Sequence, residues 1–348
     1  MSGPAAPAST SLLRRARGAL RARLRRLRAA LDGARDYLYD LRRFARASSA
    51  VTRARDAVGV EACITKDYHR IEKGLSLPEV RPGFGESSLR FLAGSLPAAE
   101  ARFGPSLATE AARGALRAYA AHHEAVEAPL PAAMPPLEPA RPTAVGGVRE
   151  VARADVVEAG RALDFERFVL NRHSVRHFTG APVEEAAIAR AVALAIKSPC
   201  VCNRESRRVH AAFDPVVRDR MLGFQNGNRG FGHLAGAVLA VTSDMRAFTD
   251  FGERNQCWID GGLFAMTLAY ALHAQGLGVC MLNWSVRPQK DRYLRRAFAI
   301  PDHEAVITLM AVGHMPERFR VAASPRPEPA GVLRVVREIA DPTPWAKK

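Results

Sequence analysis

The chain has 348 residues, 48% of them hydrophobic and 25% charged, and its net charge at pH 7 is +16. That length holds one large domain or two ordinary ones, and the composition excludes a wholly disordered chain. The sequence has no uncharged apolar run of about 18 residues and no apolar signal core at the N-terminus, so neither a spanning helix nor a secretory signal is expected, and five cysteines do not suggest a disulfide framework. A cytoplasmic protein is expected, peripheral at a membrane if its basic N-terminal segment holds it there.

Residues 1–10 are small and Pro-containing and are expected to be disordered. Residues 11–46 carry an apolar series, Leu13, Ala16, Leu20, Leu24, Leu27, Leu31, Ala34, Leu38, Leu41 and Ala45, whose spacings of three and four predict one long amphipathic helix. Residues 1–46 contain twelve Arg, no Lys, three Asp and no Glu, a net of +9, so most of the basic excess sits here. Three readings fit this helix: docking on the protein's own body or a partner copy, lying on an anionic membrane through residues 13–45, or contacting nucleic acid, in descending order. Nucleic acid is not expected as a partner.

Residues 47–128 read as a helical accessory region. One break is expected at Lys66-Asp67-Tyr68-His69-Arg70-Ile71-Glu72-Lys73-Gly74, continuing to Arg81-Pro82-Gly83-Phe84-Gly85 and read as a solvated turn. Residues 129–147, with six prolines and then Gly146-Gly147, read as a stiff, extended linker. From 148 to 335 helical and strand patterns alternate: a helix over Val183–Ile196, strands over Arg208–Phe213, Ala237–Thr242, Gly278–Leu282 and Ala305–Val312, and an apolar helix over Ile259–Ala274. Residues 336–348 form a tail. The fold class is α+β, with layered helices and a central mixed or antiparallel sheet.

Four clusters carry chemistry. Arg172-His173-Ser174-Val175-Arg176 presents two guanidiniums and a hydroxyl suited to one anion, because the planar fork of Arg donates two hydrogen bonds at once. Ser198-Pro199-Cys200-Val201-Cys202-Asn203 closes a helix with an amide that can meet the edge of a planar heterocycle. Gly276-Leu277-Gly278 ends a helix and lets the strand to Trp284 approach something flat. Val312-Gly313-His314 closes the last strand, with Arg326 beyond it.

In this order and spacing the four pieces resemble the nitroreductase family. The resemblance covers residues 160 to about 335. It rests on Arg172 to Phe178 with Pro182-Val183, on the Ser198–Asn203 turn, on Gly276-Leu277-Gly278, and on Val312-Gly313-His314. It implies a three-layer fold and a homodimeric enzyme with FMN at the interface, to which NAD(P)H and a small electrophilic acceptor come in turn, in a ping-pong hydride transfer through flavin N5. By position, Arg172, His173, Ser174 and Arg176 would hold the phosphate and ribityl end, Asn203 would reach the ring or ribityl region, and Met281, Leu282, Asn283 and Trp284 would lie near N5. Arg326 would reach the phosphate. No catalytic side chain is expected beyond Asn283 and Trp284, since the flavin carries the chemistry.

The sequence departs from the family where Arg204-Glu205-Ser206 follows Asn203 and where Asn283-Trp284 stand near N5, which leaves the acceptor open. Two alternatives stand beside the lead: a flavin enzyme acting on a dedicated biosynthetic intermediate, and a non-catalytic flavin-fold scaffold whose basic helix is the working surface. No metal site is expected, since Cys200 and Cys202 lack a second pair, and His210, His233, His273 and His303 read as structural. Gly230–Ala235 is rejected as a dinucleotide loop because its strand follows it. Gln225–Arg229 and Arg254–Gln256 read equally well as substrate-side loops or solvated ones.

Overall fold

A computed structural model describes residues 8–49, 56–137, 145–322 and 326–339. The expected disordered start therefore lies outside the described residues as far as residue 7, as do 138–144 of the proline-rich stretch and 340–348 of the tail.

Helix α1 (Ala8–Ala47) is one 40-residue run, and it begins three residues before the expected start. Three helices follow, α2 (Ala57–Leu75), α3 (Glu86–Phe103) and α4 (Leu107–Ala125). Their inward residues form one core, with Ile64, Ile71, Leu89, Leu92, Leu96, Leu116 and Tyr119 all buried. Asp56 caps α2 by accepting from the Gly59 amide at 2.8 Å, and Ser106 and Thr109 form a reciprocal capping box on α4.

The expected turn at Lys66–Gly74 is not a turn but the second half of α2. Ile64, Tyr68 and Ile71 recur at helical spacing and face the core, Arg70 is exposed, and the buried Asp67 is satisfied by Ser88 at 2.8 Å and Arg70 at 3.0 Å. Gly74 has room only for hydrogen, because a Cβ there would stand 2.0 Å from the Phe84 ring. The real break is Ser76–Gly85. The segment read as a stiff linker packs back where it is described: Ala133 and Met134 join the helical core, and the Gly147 amide donates to Glu72 at 3.0 Å.

The short helices α5 (Arg153–Arg161) and α6 (Phe165–Leu170) lead to α7 (Glu185–Ala195), and then to strand β1 (Arg207–Ala212) and α8 (Pro215–Leu222). Strand β2 (Ala237–Asp244), α9 (Gln256–Ala274), β3 (Leu277–Asn283), α10 (Pro288–Ala297), β4 (Glu304–His314) and a last turn, α11 (Pro329–Val332), complete the described chain. The four strands form one sheet in the order β1-β2-β4-β3, every pair antiparallel.

Both faces of the sheet are covered. Leu239, Val241, Val279, Met310 and Val312 pack under α7 and α9, while Val238, Ala240, Leu282, Leu309 and Ala311 pack against α8 and α10. All eight residues of β2 are buried. A strand covered on both faces has no polar side to alternate, so β2 reads as an apolar run from Ala237 to Val241, whereas the edge strand β1 keeps Arg208 and Ala211 exposed. The molecule is an α+β structure, a helical N-terminal region followed by an antiparallel four-stranded sheet with helices.

Candidate functional site

The Arg172–Arg176 segment is placed by α6 and β3. Phe168 of α6 packs on Tyr270 and His273 of α9, with ring centroids 5.6 and 4.8 Å apart, and the helix ends at Asn171. The chain then runs extended along the outer edge of β3. Ser174 bridges Val279 in parallel, and the Val175 amide donates to the Val279 carbonyl at 3.0 Å.

This approach explains two glycines. A Cβ at Gly278 would meet Met315 at 2.8 Å and Val175 at 3.0 Å, and one at Gly313 would meet the Phe178 ring at 2.8 Å. The flat object that Gly278 was expected to admit is therefore, in this chain, the protein's own Arg172–Arg176 strand.

Burying Val175 leaves its polar neighbours facing outward. Arg176 is exposed and Arg172, His173 and Ser174 are half-buried. Among the described residues neither Arg172 nor Arg176 has a carboxylate partner; the one side-chain bond of Arg176 is to the Ser174 carbonyl at 3.5 Å. The excess of positive charge is felt nearby: burial lowers the His273 imidazole below its ordinary value, and Arg172 and His173 lower it further. Two guanidiniums and a hydroxyl without internal anions are suited to an external dianion.

The same edge continues to Met281, Leu282 and Asn283. Met281 and Asn283 are exposed, whereas Leu282 is buried. The Asn283 carbonyl accepts from the Gln225 amide, and Asn226 bonds Lys290, so at least this part of the Gln225–Arg229 loop is structured against β3 and α10. Trp284 turns away from the edge and donates Nε1–H to Asp291 at 3.0 Å. Arg326 lies exposed beyond β4.

Asn203 sits elsewhere. It closes a strained turn in which Cys202, Asn203 and Glu205 have φ of 48°, 54° and 45°. Non-glycine residues in the left-handed region cost about 1–2 kcal/mol each, and such turns persist where the surroundings enforce them. Here the braces are visible. Arg204, buried, grips Glu253 through two bonds of 3.0 and 2.5 Å, the Val201 amide donates to Asp260 at 3.2 Å, and the Cys200 thiol contacts Glu205 at 3.6 Å. Burial raises the Glu205 carboxyl above its ordinary value despite Arg207 beside it.

Helix α2 supplies the outer wall of this turn. Tyr68 faces Asn203, and Lys66 reaches Thr249, which also receives Arg204, at 3.2 and 3.3 Å. Burial, then the Glu72 charge, raises the Tyr68 hydroxyl above its ordinary value, so it stays a neutral donor and acceptor. Tyr68, Glu205, Arg204 and Glu253 were not foreseen. Tyr68 carried a signal, an aromatic at helical spacing with Ile64 and Ile71, but the others depend on tertiary pairing alone.

The two halves lie at opposite ends of the sheet. Ser174 bridges Val279, which pairs with Val312, whereas the Asn203 turn enters β1 at Arg207, which pairs with Ser243 and through it with Ala305. From Ala305 to Val312 along β4 is about 23 Å at ~3.3 Å per residue. One chain brings Arg172, His173, Ser174, Arg176 and the 281–283 edge together, and it does not bring Asn203 to them. Among the described residues no cluster of three metal-ligating side chains exists, and Cys63, Cys200, Cys202, Cys257 and Cys280 are all free.

Comparison with known proteins places part of this chain. Residues 220–314, from α8 to the end of β4, match the model of the Nitroreductase family, so that stretch is a nitroreductase-family domain. The match holds Gly276-Leu277-Gly278 and Val312-Gly313-His314 and begins after Arg172–Arg176 and Asn203. No curated protein matches the chain. Among solved structures, a nitroreductase family protein from Streptococcus pneumoniae is 17% identical, with 49% of this chain and 100% of that one covered and a TM-score of 0.43. An FMN-dependent nitroreductase from Clostridium difficile is 19% identical, with 45% and 91% covered and a TM-score of 0.39. The NfrA1 nitroreductase from Bacillus subtilis is 19% identical, with 49% and 73% covered and a TM-score of 0.43.

Proposed function

We propose that this chain is a cytoplasmic, homodimeric, FMN-dependent oxidoreductase that uses NAD(P)H to reduce a small electrophilic acceptor. The observation that carries the reading is the pair of guanidiniums without carboxylates among the described residues, Arg172 and Arg176, flanking Ser174 along the outer edge of β3, beside a nitroreductase-family domain. Bound FMN would supply the hydride relay, accepting from NAD(P)H and giving to the acceptor in alternate half-reactions through N5. The chain's part is binding and electrostatics. Arg172, Ser174 and Arg176 would offset the phosphate charge, with His173 toward the ribityl chain and Arg326 added from the C-terminal segment. The Met281–Asn283 edge would offer backbone groups to the ring.

Asn203 would serve the ring of a second copy, since its own chain keeps it a sheet's length from Arg172. On this reading residues 148–335 form the flavin domain and 47–128 an accessory region. The contact of α2 with the Asn203 turn supports a second reading, that the accessory helices shape the acceptor side for a dedicated biosynthetic intermediate.

The double variant Arg172→Ala, Arg176→Ala tests the cofactor assignment. It is expected to lose FMN on gel filtration while keeping its far-ultraviolet spectrum; full retention of flavin would refute the placement.

A further inference from the structure

Helix α1 docks on the body with the wrong face for a core helix. Its contacts come from Asp32, Asp36, Tyr39, Arg43 and Phe44. Arg287 reaches Asp36 at 2.7 Å and Asp32 at 3.5 Å, Tyr39 donates to Asp291 at 2.7 Å, Arg43 donates to the Glu304 carbonyl at 2.6 Å, and Phe44 is buried against Met245 and Phe248. At about 100° per residue, this face lies roughly 150° round the axis from the leucine stripe. The stripe therefore points outward, and Leu20, Leu24, Leu27, Leu31, Leu38 and Leu41 are all exposed, Leu24 at 48% and Leu27 and Leu31 at 56%. A stripe about 30 Å long at 1.5 Å per residue, open to solvent, is an interaction surface rather than a packing face.

The charge beside the stripe selects the partner. From residue 18 to 31 there is no Asp or Glu, and Arg21, Arg23, Arg25, Arg26 and Arg28 have no carboxylate partner among the described residues. The three acidic residues of α1, Asp32, Asp36 and Asp40, all lie on the side turned toward the body. Arg21, Arg28, Arg35 and Arg42 recur every seven residues along one flank of the leucines. In an antiparallel second copy these rows would face each other, and in a parallel one Arg23 would face Arg28, so self-pairing brings like charges together. A groove of about 1000 Å³ opens along the same flank between α1 and α10, and its lining holds eight Arg against four Asp, so it keeps a cationic excess. Apolar residues between guanidiniums, next to a cationic groove, fit acyl chains beneath phosphate headgroups.

We propose that the outward face of α1 binds an anionic lipid bilayer surface, with the leucines entering the interface and Arg21, Arg28, Arg35 and Arg42 among the headgroups. The helix would lie on the membrane and hold the sheet domain beside it. This inference does not depend on the flavin reading.

The test is flotation of the full chain with vesicles of phosphatidylcholine alone and of phosphatidylcholine containing phosphatidylserine. The chain is expected to float with the anionic vesicles only and to be released by high salt. The variants Leu27→Glu, Leu31→Glu and, separately, Arg21→Glu, Arg28→Glu should each weaken binding at least about tenfold, since the first removes two apolar side chains from the interface and the second reverses two charges beside anionic headgroups. All four side chains are exposed, so the body keeps its fold, which circular dichroism would verify. Failure to float with anionic vesicles, or flotation unchanged in Leu27→Glu, Leu31→Glu, overturns the proposal. So does an oligomer that dissociates in that variant without vesicles, or binding of duplex DNA in place of lipid.

Discussion

Single residues decide how closely the Arg172–Arg176 segment lies against β3. Gly278 is the clearest case. It leaves room for Val175 and Met315, and that approach fixes the backbone from which Arg172, Ser174 and Arg176 project. Replacing Gly278 by Val would overpack the contact, at a cost of about 1–3 kcal/mol, and push the Arg172–Arg176 strand from the sheet. A lower urea midpoint together with weaker FMN binding is expected. Weaker stability with unchanged FMN affinity would separate the glycine from the site. The glycine pattern was legible in the sequence, but its partner was not, because Val175 and Met315 meet it only through a pairing about a hundred residues distant along the chain on one side.

At the scale of elements, the docking of α1 turns on one buried carboxylate. Burial pushes the Asp291 carboxyl up, but Arg43, Trp284, Tyr39 and Arg295 together offset this and hold it below the usual Asp range. A carboxyl lowered in the folded state contributes stability that is complete above its unfolded value, about 4, and is lost as pH falls through the lowered value. Protease protection of α1 should therefore hold at pH 7 and 5 and fail as the pH drops below about 4. At neutral pH, Asp291→Ala should cost about 3 kcal/mol by removing the carboxylate that Arg43, Tyr39 and Arg295 share and leaving the buried Arg295 only the exposed Asp302, read as a lower urea midpoint and faster cleavage in α1. A variant as resistant as the parent would show that α1 is held elsewhere. The helix itself was plain in the three-and-four spacing of its leucines. Which face docks was not, since the sequence marks the leucine stripe and the body uses the opposite side. Helix α2 was hidden for a related reason: Tyr68 and Ile71 point inward, and the polar residues around them mimic a turn.

For the whole molecule, the sheet was legible because covering both faces leaves uninterrupted apolar runs such as Ala237–Thr242, whose burial the structure shows. Register was not, and register is what sets Arg172 and Asn203 at opposite ends of the sheet, beside positions Val312 and Ala305 that lie about 23 Å apart along β4 at ~3.3 Å per residue. If two copies share each flavin, the defects should complement. Chains carrying Arg172→Ala, Arg176→Ala mixed with chains carrying Tyr68→Ala, Asn203→Ala should refold into mixed dimers with one intact site and bind more FMN than either variant alone. Equal or lower binding would mean that Asn203 does not complete a neighbour's site.

The central claim is that the chain holds FMN and passes electrons through it, and the most direct measurement is the absorption spectrum of the purified full-length protein, reconstituted with FMN, before and after anaerobic NADH or NADPH. The expected result is a flavin spectrum that bleaches with one of the two donors and is restored by an electrophilic acceptor. A protein that stays colourless after incubation with excess FMN would contradict it.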